Sequence, residues 1–418
     1  WFINEENEIR YYDNNLFANN IELESGRQHI TLTSHLNDQG NTNLDATFEK
    51  VELDGLMRII QYDDYSLGGQ ITGTASMTDA LRANNDISSA ITINDFTLDG
   101  DTMGNLTADV RYHLGENRFT LASDLAAVTG GDFSLRGDYN FEEEAGMQFK
   151  LLARKAPFEL VEPFLVGVAS ELEGLIDGEV DLYGSVDDPH FEGDLLVNGA
   201  ALTVDYLGTR YYLDPVPIDF TDKSIYVENT KLFDNSDKKK ATTADLGGEI
   251  NFSDFTDFTF QDFYVYTDPN FRFMETTEEE NELFYGQAYG KAIVLINGPI
   301  ENMDIYVNAK SDPNTSVAIP IVYDTDVSQY DFIEFIDRTT DSVIKNLEAQ
   351  SYTGLNLTMD LDVTTDAEMK IIFNQQSGEV IQGRGEGNLK LKIDAAGNFE
   401  MYGDVTIKEG DYLFRLQD

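Results

Sequence analysis

Residues 385–416 read GEGNLKLKIDAAGNFEMYGDVTIKEGDYLFRL, and the fold of the chain follows from them. Leu389, Leu391 and Ile393 alternate with Lys390 and Lys392. Ala395-Ala396-Gly397-Asn398 then turns the chain. Beyond the turn, Phe399 and Met401 alternate with Glu400 and Tyr402, and Val405 and Ile407 with Thr406 and Lys408. Successive side chains of an extended strand point to opposite faces, so this spacing gives each strand one apolar and one charged face. Short connections containing Gly join antiparallel neighbours. The stretch reads as an antiparallel meander, which suits half of a β-sandwich and an open sheet equally well.

The same alternation extends upstream. Leu355, Leu357, Met359, Leu361 and Val363 alternate with Asn356, Thr358, Asp360 and Asp362, and Met369, Ile371 and Phe373 repeat the scheme. Residues 1–153 are strand-like nearly throughout, with Asp99-Gly100 and similar turns at short intervals. Two passages share a plan of strand, Gly, Pro-containing turn and strand: residues 178–199 and residues 286–307. They read as degenerate internal repeats.

Two segments break the period. From Ala156 to Leu172 the apolar residues shift to helical spacing, which predicts a short amphipathic helix over 157–172, started or kinked by Pro163. Residues 328–347 predict a second helix, with Phe332, Phe335, Ile336, Val343, Ile344 and Leu347 roughly on one face. The organisation expected is a β segment 1–153, a helix 154–173, a β segment 174–310 with repeats, an extended and helical insert 311–351, and a terminal meander 352–418. The rich aromatic run Phe252, Phe255, Phe258, Phe260, Phe263, Tyr264 and Tyr266 reads as buried sheet surface. Residues 234–240 read as a charged loop.

The terminal stretch resembles the C-terminal region of TamB-like proteins of the Bacteroidota type. The resemblance rests on Gly385, Gly387, Leu389, Leu391, Ile393, Gly397, Phe399, Met401, Gly403, Ile407, Gly410, Tyr412, Phe414 and Leu416. Asp404-Val405 departs from the aromatic residue usual after Gly403. TamB-like and AsmA-like proteins also share the Gly-strand-Gly-x-Pro cadence, and Tyr206–Tyr212 sits where they have a connection between strands. The resemblance implies an all-β fold: an elongated, curled antiparallel sheet forming a half-pipe with an apolar interior and two short helical interruptions. It implies a periplasmic location in a Gram-negative envelope, with an inner-membrane anchor outside this chain. It also implies lipid passage or outer-membrane protein assembly, with acyl chains and an outer-membrane β-barrel of the TamA/BamA kind as partners, the barrel met through the C-terminal region.

Composition narrows the alternatives. The 77 Asp and Glu against 28 Lys and Arg give a formal net charge of −49. That charge opposes nucleic-acid binding and unaided attachment to anionic membranes. Cysteine is absent, which removes disulfides, thiol catalysis and thiolate metal sites. His29, His35, His113 and His190 are scattered without metal spacing, and no phosphate-cradling loop or nucleophile signature occurs. No catalytic, cofactor or metal residue is expected, and the chain reads as a non-enzyme. The competing reading is a secreted β-rich adhesin that binds glycans or cations, with a hydrolase of dispersed carboxylates less favoured.

An open sheet must do something with its apolar face. Shared phase within alternating strands assigns one apolar stripe to Val180, Leu182, Leu195, Val197, Ile250, Phe252, Val294, Ile296, Ile305, Val307, Leu357, Met359, Leu391, Ile393, Met401 and Ile407. These are the candidate lipid-facing residues.

Overall fold

The computed structural model describes residues 1–60, 66–82, 85–165, 168–254, 257–279, 281, 284–320, 355–374, 379–396 and 398–413. The expected helix at 328–347, together with Phe255, Gly397, Phe414 and Leu416, lies outside them. Strands take up 72% of the chain and helices 5%, so the all-β class holds.

The chain opens with β1 (Phe2–Ile3), the hairpin β2 (Glu8–Tyr12) and β3 (Asn15–Asn19), then β4 (Ile21–Ser25), β5 (Gln28–Leu36) and β6 (Thr42–Glu52). Helix α1 (Leu53–Ile60) follows. Next come β7 (Leu67–Met77), β8 (Asp86–Leu98), β9 (Asp101–His113), β10 (Arg118–Ala127), β11 (Asp132–Asn140) and β12 (Met147–Pro157). A 3-10 helix at Phe158–Leu165 precedes β13 (Ala169–Gly184) and β14 (Pro189–Val204). After these come β15 (Thr209–Leu213), β16 (Val216–Asp222), β17 (Ser224–Phe233), β18 (Thr243–Phe252), β19 (Phe258–Thr267), β20 (Phe271–Thr276) and β21 (Tyr285–Pro299). The last strands are β22 (Met303–Ser311), β23 (Ser316–Pro320), β24 (Leu355–Val363), β25 (Glu368–Asn374), β26 (Glu379–Ile393) and β27 (Phe399–Leu413).

The chain divides into two units. Unit 1 comprises residues 1–202, 213–228 and 251–257, and unit 2 comprises 203–212, 229–250 and 258–418.

In unit 1, strands β4 to β13 pair antiparallel with their sequence neighbours. This is the meander that short turns dictate. Gly178 and Gly193 show why glycine recurs in these strands. Both have left-handed φ, 141° and 148°. A Cβ on either would fall 2.2 Å from the facing carbonyl, Asp194 O or Glu179 O, so only glycine permits the approach.

Helix α1 was not expected. Leu53, Leu56 and Met57 lie on Val51, Ile71 and Ile93 at one end of the unit 1 sheet. Two turns containing Gly55 leave too short a periodic signal against the strand pattern on either side. The helix expected over 157–172 is also corrected. It is a 3-10 segment ending at Leu165, and β13 begins at Ala169. Pro163 lies inside it, and the Glu162 carboxylate accepts the backbone N–H groups of Glu171 and Leu172 at 3.2 and 3.0 Å. Those bonds fix the chain in extended form just where helical spacing would have continued it.

The connections of unit 1 are tied by a polar network. Asn15 Oδ1 accepts both the backbone N–H and the hydroxyl of Thr42, each at 3.0 Å. Thr42 is fully buried and Asn15 nearly so. Asp79 accepts from Asn37 and Asn41 at 2.7 and 2.9 Å, and those two amides hold its carboxyl below the usual range, Asn41 more strongly. Asn15→Ala should therefore cost about 1–3 kcal/mol by orphaning two buried donors, read as a lower urea midpoint with an unchanged slope.

Unit 2 departs from the sequence expectation in one respect. β22 and β23 are two pieces of one interrupted strand, as are β24 and β25. Both pieces of the first pair with β21, and both pieces of the second with β26, all antiparallel. The two interrupted strands themselves run parallel. Lys310 faces Asp362 and Ser316 faces Glu368, so the register is kept across the break. The breaks are stitched together: Thr364 N–H donates to Ser311 Oγ at 2.8 Å and Glu368 N–H to Thr315 O at 2.8 Å. A parallel step needs a crossover connection of about a dozen residues or more. The 34 residues 321–354 that separate β23 from β24 in sequence exceed that length.

Candidate functional site

Directly opposed residues of paired strands carry their side chains on the same face. In unit 1 this builds a row Leu23, Ile30, Phe48, Gly73, Ile91, Ala108, Ser123, Leu135, Leu151 and Val180. The next row is Ile21, Leu32, Ala46, Ala75, Ser89, Val110, Leu121, Gly137, Phe149 and Leu182. Neither row contains a charged residue. One residue over on the same strands, the register reads Glu22, Thr31, Thr47, Thr74, Ala90, Asp109, Ala122, Arg136, Lys150 and Asp181. That face carries the ion pairs Arg136–Asp124 at 2.7 Å and Lys150–Asp181 at 3.0 Å. Exposed pairs of this kind contribute under about 1 kcal/mol each, so the outer face chiefly provides solubility. Ser134 donates to Asp124 at 2.6 Å, and with Arg136 it holds that carboxyl below its usual range.

Leu195 and Val197 oppose Ile218 and Val216 on β16. Val180 and Val197 are buried. Phe252 is buried too and meets Phe191 edge-on at 4.9 Å.

Unit 2 repeats the arrangement. Val265, Val294, Val307, Met359, Leu391 and Met401 form one row across β19, β21, β22, β24, β26 and β27. Phe263, Ile296, Ile305, Leu357 and Ile393 stand opposite one another in the next. Ile407 lies farther along β27, paired with Gly385 and half exposed. Ile250 is half buried on β18, two positions from Gly248, which packs against Phe263. The opposite face carries Lys390–Asp360 at 3.3 Å, and the Tyr306 hydroxyl donates to Asp360 at 3.0 Å.

Sequence reasoning missed three features. The aromatic run is not uniformly buried sheet surface: Phe252 and Phe263 lie with the uncharged rows, whereas Tyr264 and Tyr266 point the other way. Their rings stack at 4.7 Å, and Tyr266 is 45% exposed. Period two splits such a run between faces. Tyr206–Tyr212 is only partly a connection, since β15 starts at Thr209. The 234–240 loop hides a buried acid: Asp234 accepts the N–H groups of Thr242 and Arg272 at 2.7 and 3.0 Å. Its burial depends on β20, far away in sequence.

At a turn of unit 1, His190 pairs with Asp222 and, at 3.4 Å, with Asp188, and it stacks on Tyr183 at 5.3 Å. Lys223 and then His190 hold the Asp188 carboxyl down. The hydrogen bond to Asp222, with help from Asp188, raises the His190 pKa above its ordinary 6.5. A raised folded-state pKa gives stability that is fully present below the unfolded value and lost as pH rises through the folded one. Wild type should thus lose thermal stability relative to His190→Gln as pH climbs from about 6 to about 8. Parallel melting curves would refute this.

Among the described residues, Glu22, Glu24 and His29 bring ligand atoms within 4.8 Å of one another. Exposed acidic groups of so acidic a chain come this close without an ion, and no function is assigned to them.

With the geometry in place, the chain can be set against known families. Residues 228–418 match the family model described as the TamB C-terminal domain. Over these residues, somewhat less than half of its length, the chain is similar to TamB-like proteins. Residues 1–227 lie outside the match. No curated protein and no solved structure matches significantly. Among the described residues, no helix is long and apolar enough to cross a membrane.

Proposed function

We propose that the uncharged face of this chain receives lipid acyl chains and lets them pass along it between the two membranes of the envelope. The observation that carries the reading is charge segregation. Of 105 charged residues by composition, 77 acidic and 28 basic, none stands in the rows named above in either unit, and Asp222, opposite Phe191 at the end of β16, marks where charge begins in unit 1. Leaving such a face wet costs about 25 cal/mol per Å² of apolar surface. Acyl chains remove that cost, and because the contact is non-directional they can slide. Polar head groups would stay at the rim, where the charged face begins. No catalytic group is needed.

The same reading takes the chain as periplasmic, held at the inner membrane by a segment outside it. It meets an outer-membrane β-barrel through its C-terminal region. The ladder of β27 runs against β26 along one edge, and a fifteen-residue strand offers its remaining backbone donors and acceptors to a partner strand. Native mass spectrometry of the protein taken gently from its own envelope tests the lipid reading. Adducts at phospholipid masses are expected, and folded protein free of lipid would reject it.

A further inference from the structure

One margin of the unit 1 face differs from the rest. On this face, the last row before the connections at 114–117 and 141–146 holds Tyr112, Phe119 and Tyr139. Phe141 folds over it from the connection. Its ring meets Tyr139 edge-on at 4.7 Å and Tyr112 at 6.2 Å, yet remains 56% exposed. The position is built rather than incidental. Phe141 N–H donates to Asn117 O at 3.0 Å, and the Tyr112 hydroxyl donates to Asn117 Oδ1 at 2.6 Å, so the two connections are locked together. Glu142, Glu143 and Glu144 follow directly, all exposed, with no basic residue between Asp138 and Met147. The nearby Arg118 is paired with Glu116 at 2.8 Å and His113 with Asp86 at 2.9 Å.

We propose that this cluster selects lipids whose head group ends in an ammonium, phosphatidylethanolamine above all. The inference rests on the acyl-chain reading above and adds head-group choice to it. An aromatic face attracts a cation through its quadrupole, and adjacent carboxylates add attraction for the ammonium while repelling a head group of net negative charge. A tyrosine and phenylalanine margin also suits the level at which an acyl chain gives way to its head group.

The test uses the whole chain and two acyl-labelled lipids with identical chains, phosphatidylethanolamine and phosphatidylglycerol, offered separately from neutral phosphatidylcholine vesicles. At low salt, ethanolamine lipid should be retained about two- to fivefold better, as one cation–π contact allows. Phe141→Leu keeps the apolar bulk, and neutralising Glu142, Glu143 and Glu144 to Gln keeps the shape. Each should bring the ratio near one by lowering ethanolamine-lipid retention towards that of the glycerol lipid, with the melting temperature unchanged. Neutralising three remote acids of the same unit, Glu5, Glu22 and Glu24 at its β1–β4 end, should leave the ratio alone. Equal retention by wild type overturns the head-group inference while leaving the acyl-chain reading intact. A preference that survives Phe141→Leu, or falls equally with the remote neutralisations, also overturns it, because overall charge would then be the cause. Capture of neither lipid by folded protein overturns both.

Discussion

Leu391→Asp should lower lipid retention by about tenfold or more, whereas Lys392→Asp, the same new side chain one residue along, should leave it nearly unchanged. Leu391 lies between Met359 and Met401 in the uncharged row, while Lys392 lies between Thr358 and Glu400 on the other face. A carboxylate facing hydrocarbon without a partner costs several kcal/mol, and about 1.4 kcal/mol already corresponds to tenfold. Leu391 is buried, so the carboxylate should also lower the melting temperature, and retention is compared where each variant is still folded. The measurement is retention of an acyl-labelled lipid beside a melting curve for each variant. If Leu391→Asp unfolds the protein, the row belongs to a closed core. Equal retention by both variants would remove the uncharged rows from lipid binding altogether.

Asp234→Ala should have the largest effect on stability, about 2–5 kcal/mol. Removing its carboxylate orphans the buried N–H groups of Thr242 and Arg272, at about 1–3 kcal/mol each. The Arg272 guanidinium also donates to Asp234 O at 2.7 Å, so the loop and β20 are held together from both sides. Nearby, Phe271 is fully buried and stacks on Tyr211 at 5.5 Å. Burial pushes the Tyr211 hydroxyl pKa well above its ordinary value, and that hydroxyl donates to Phe273 O at 2.9 Å. Urea unfolding is the check, and a loss below about 1 kcal/mol would mean that Asp234 is not the clamp of this region.

Much of this was legible because period two is a strong local signal. Leu389, Leu391 and Ile393 alternate with charged or polar neighbours, and the register then sets Leu391 against Met359 and Met401. What escaped depended on partners distant in sequence. Alternation is the same in parallel and antiparallel strands, so Ile305 gave no sign that its neighbour Leu357 runs parallel to it. Asp234 looked like one more solvated acid until β20 covered it. Helix α1 escaped for a different reason: Leu53, Leu56 and Met57 span only two turns. The helix expected through Leu172 failed because Glu162 captures two backbone donors that the helix would have used itself. The candidate site is a repeated property of a face, so phase could propose its members one strand at a time. The aromatic margin at Phe141 needed coordinates, because Asn117 and Phe141 come from different connections.

The most direct test places a photoreactive amino acid at Met359 in one variant and at Thr358 in another, and illuminates each with phospholipid present. The two positions are neighbours on β24 and face opposite ways. Acyl-chain adducts at position 359 and not at 358 are the expected result. Adducts at both positions in equal yield, or at 358 alone, would contradict the assignment of the uncharged face to lipid.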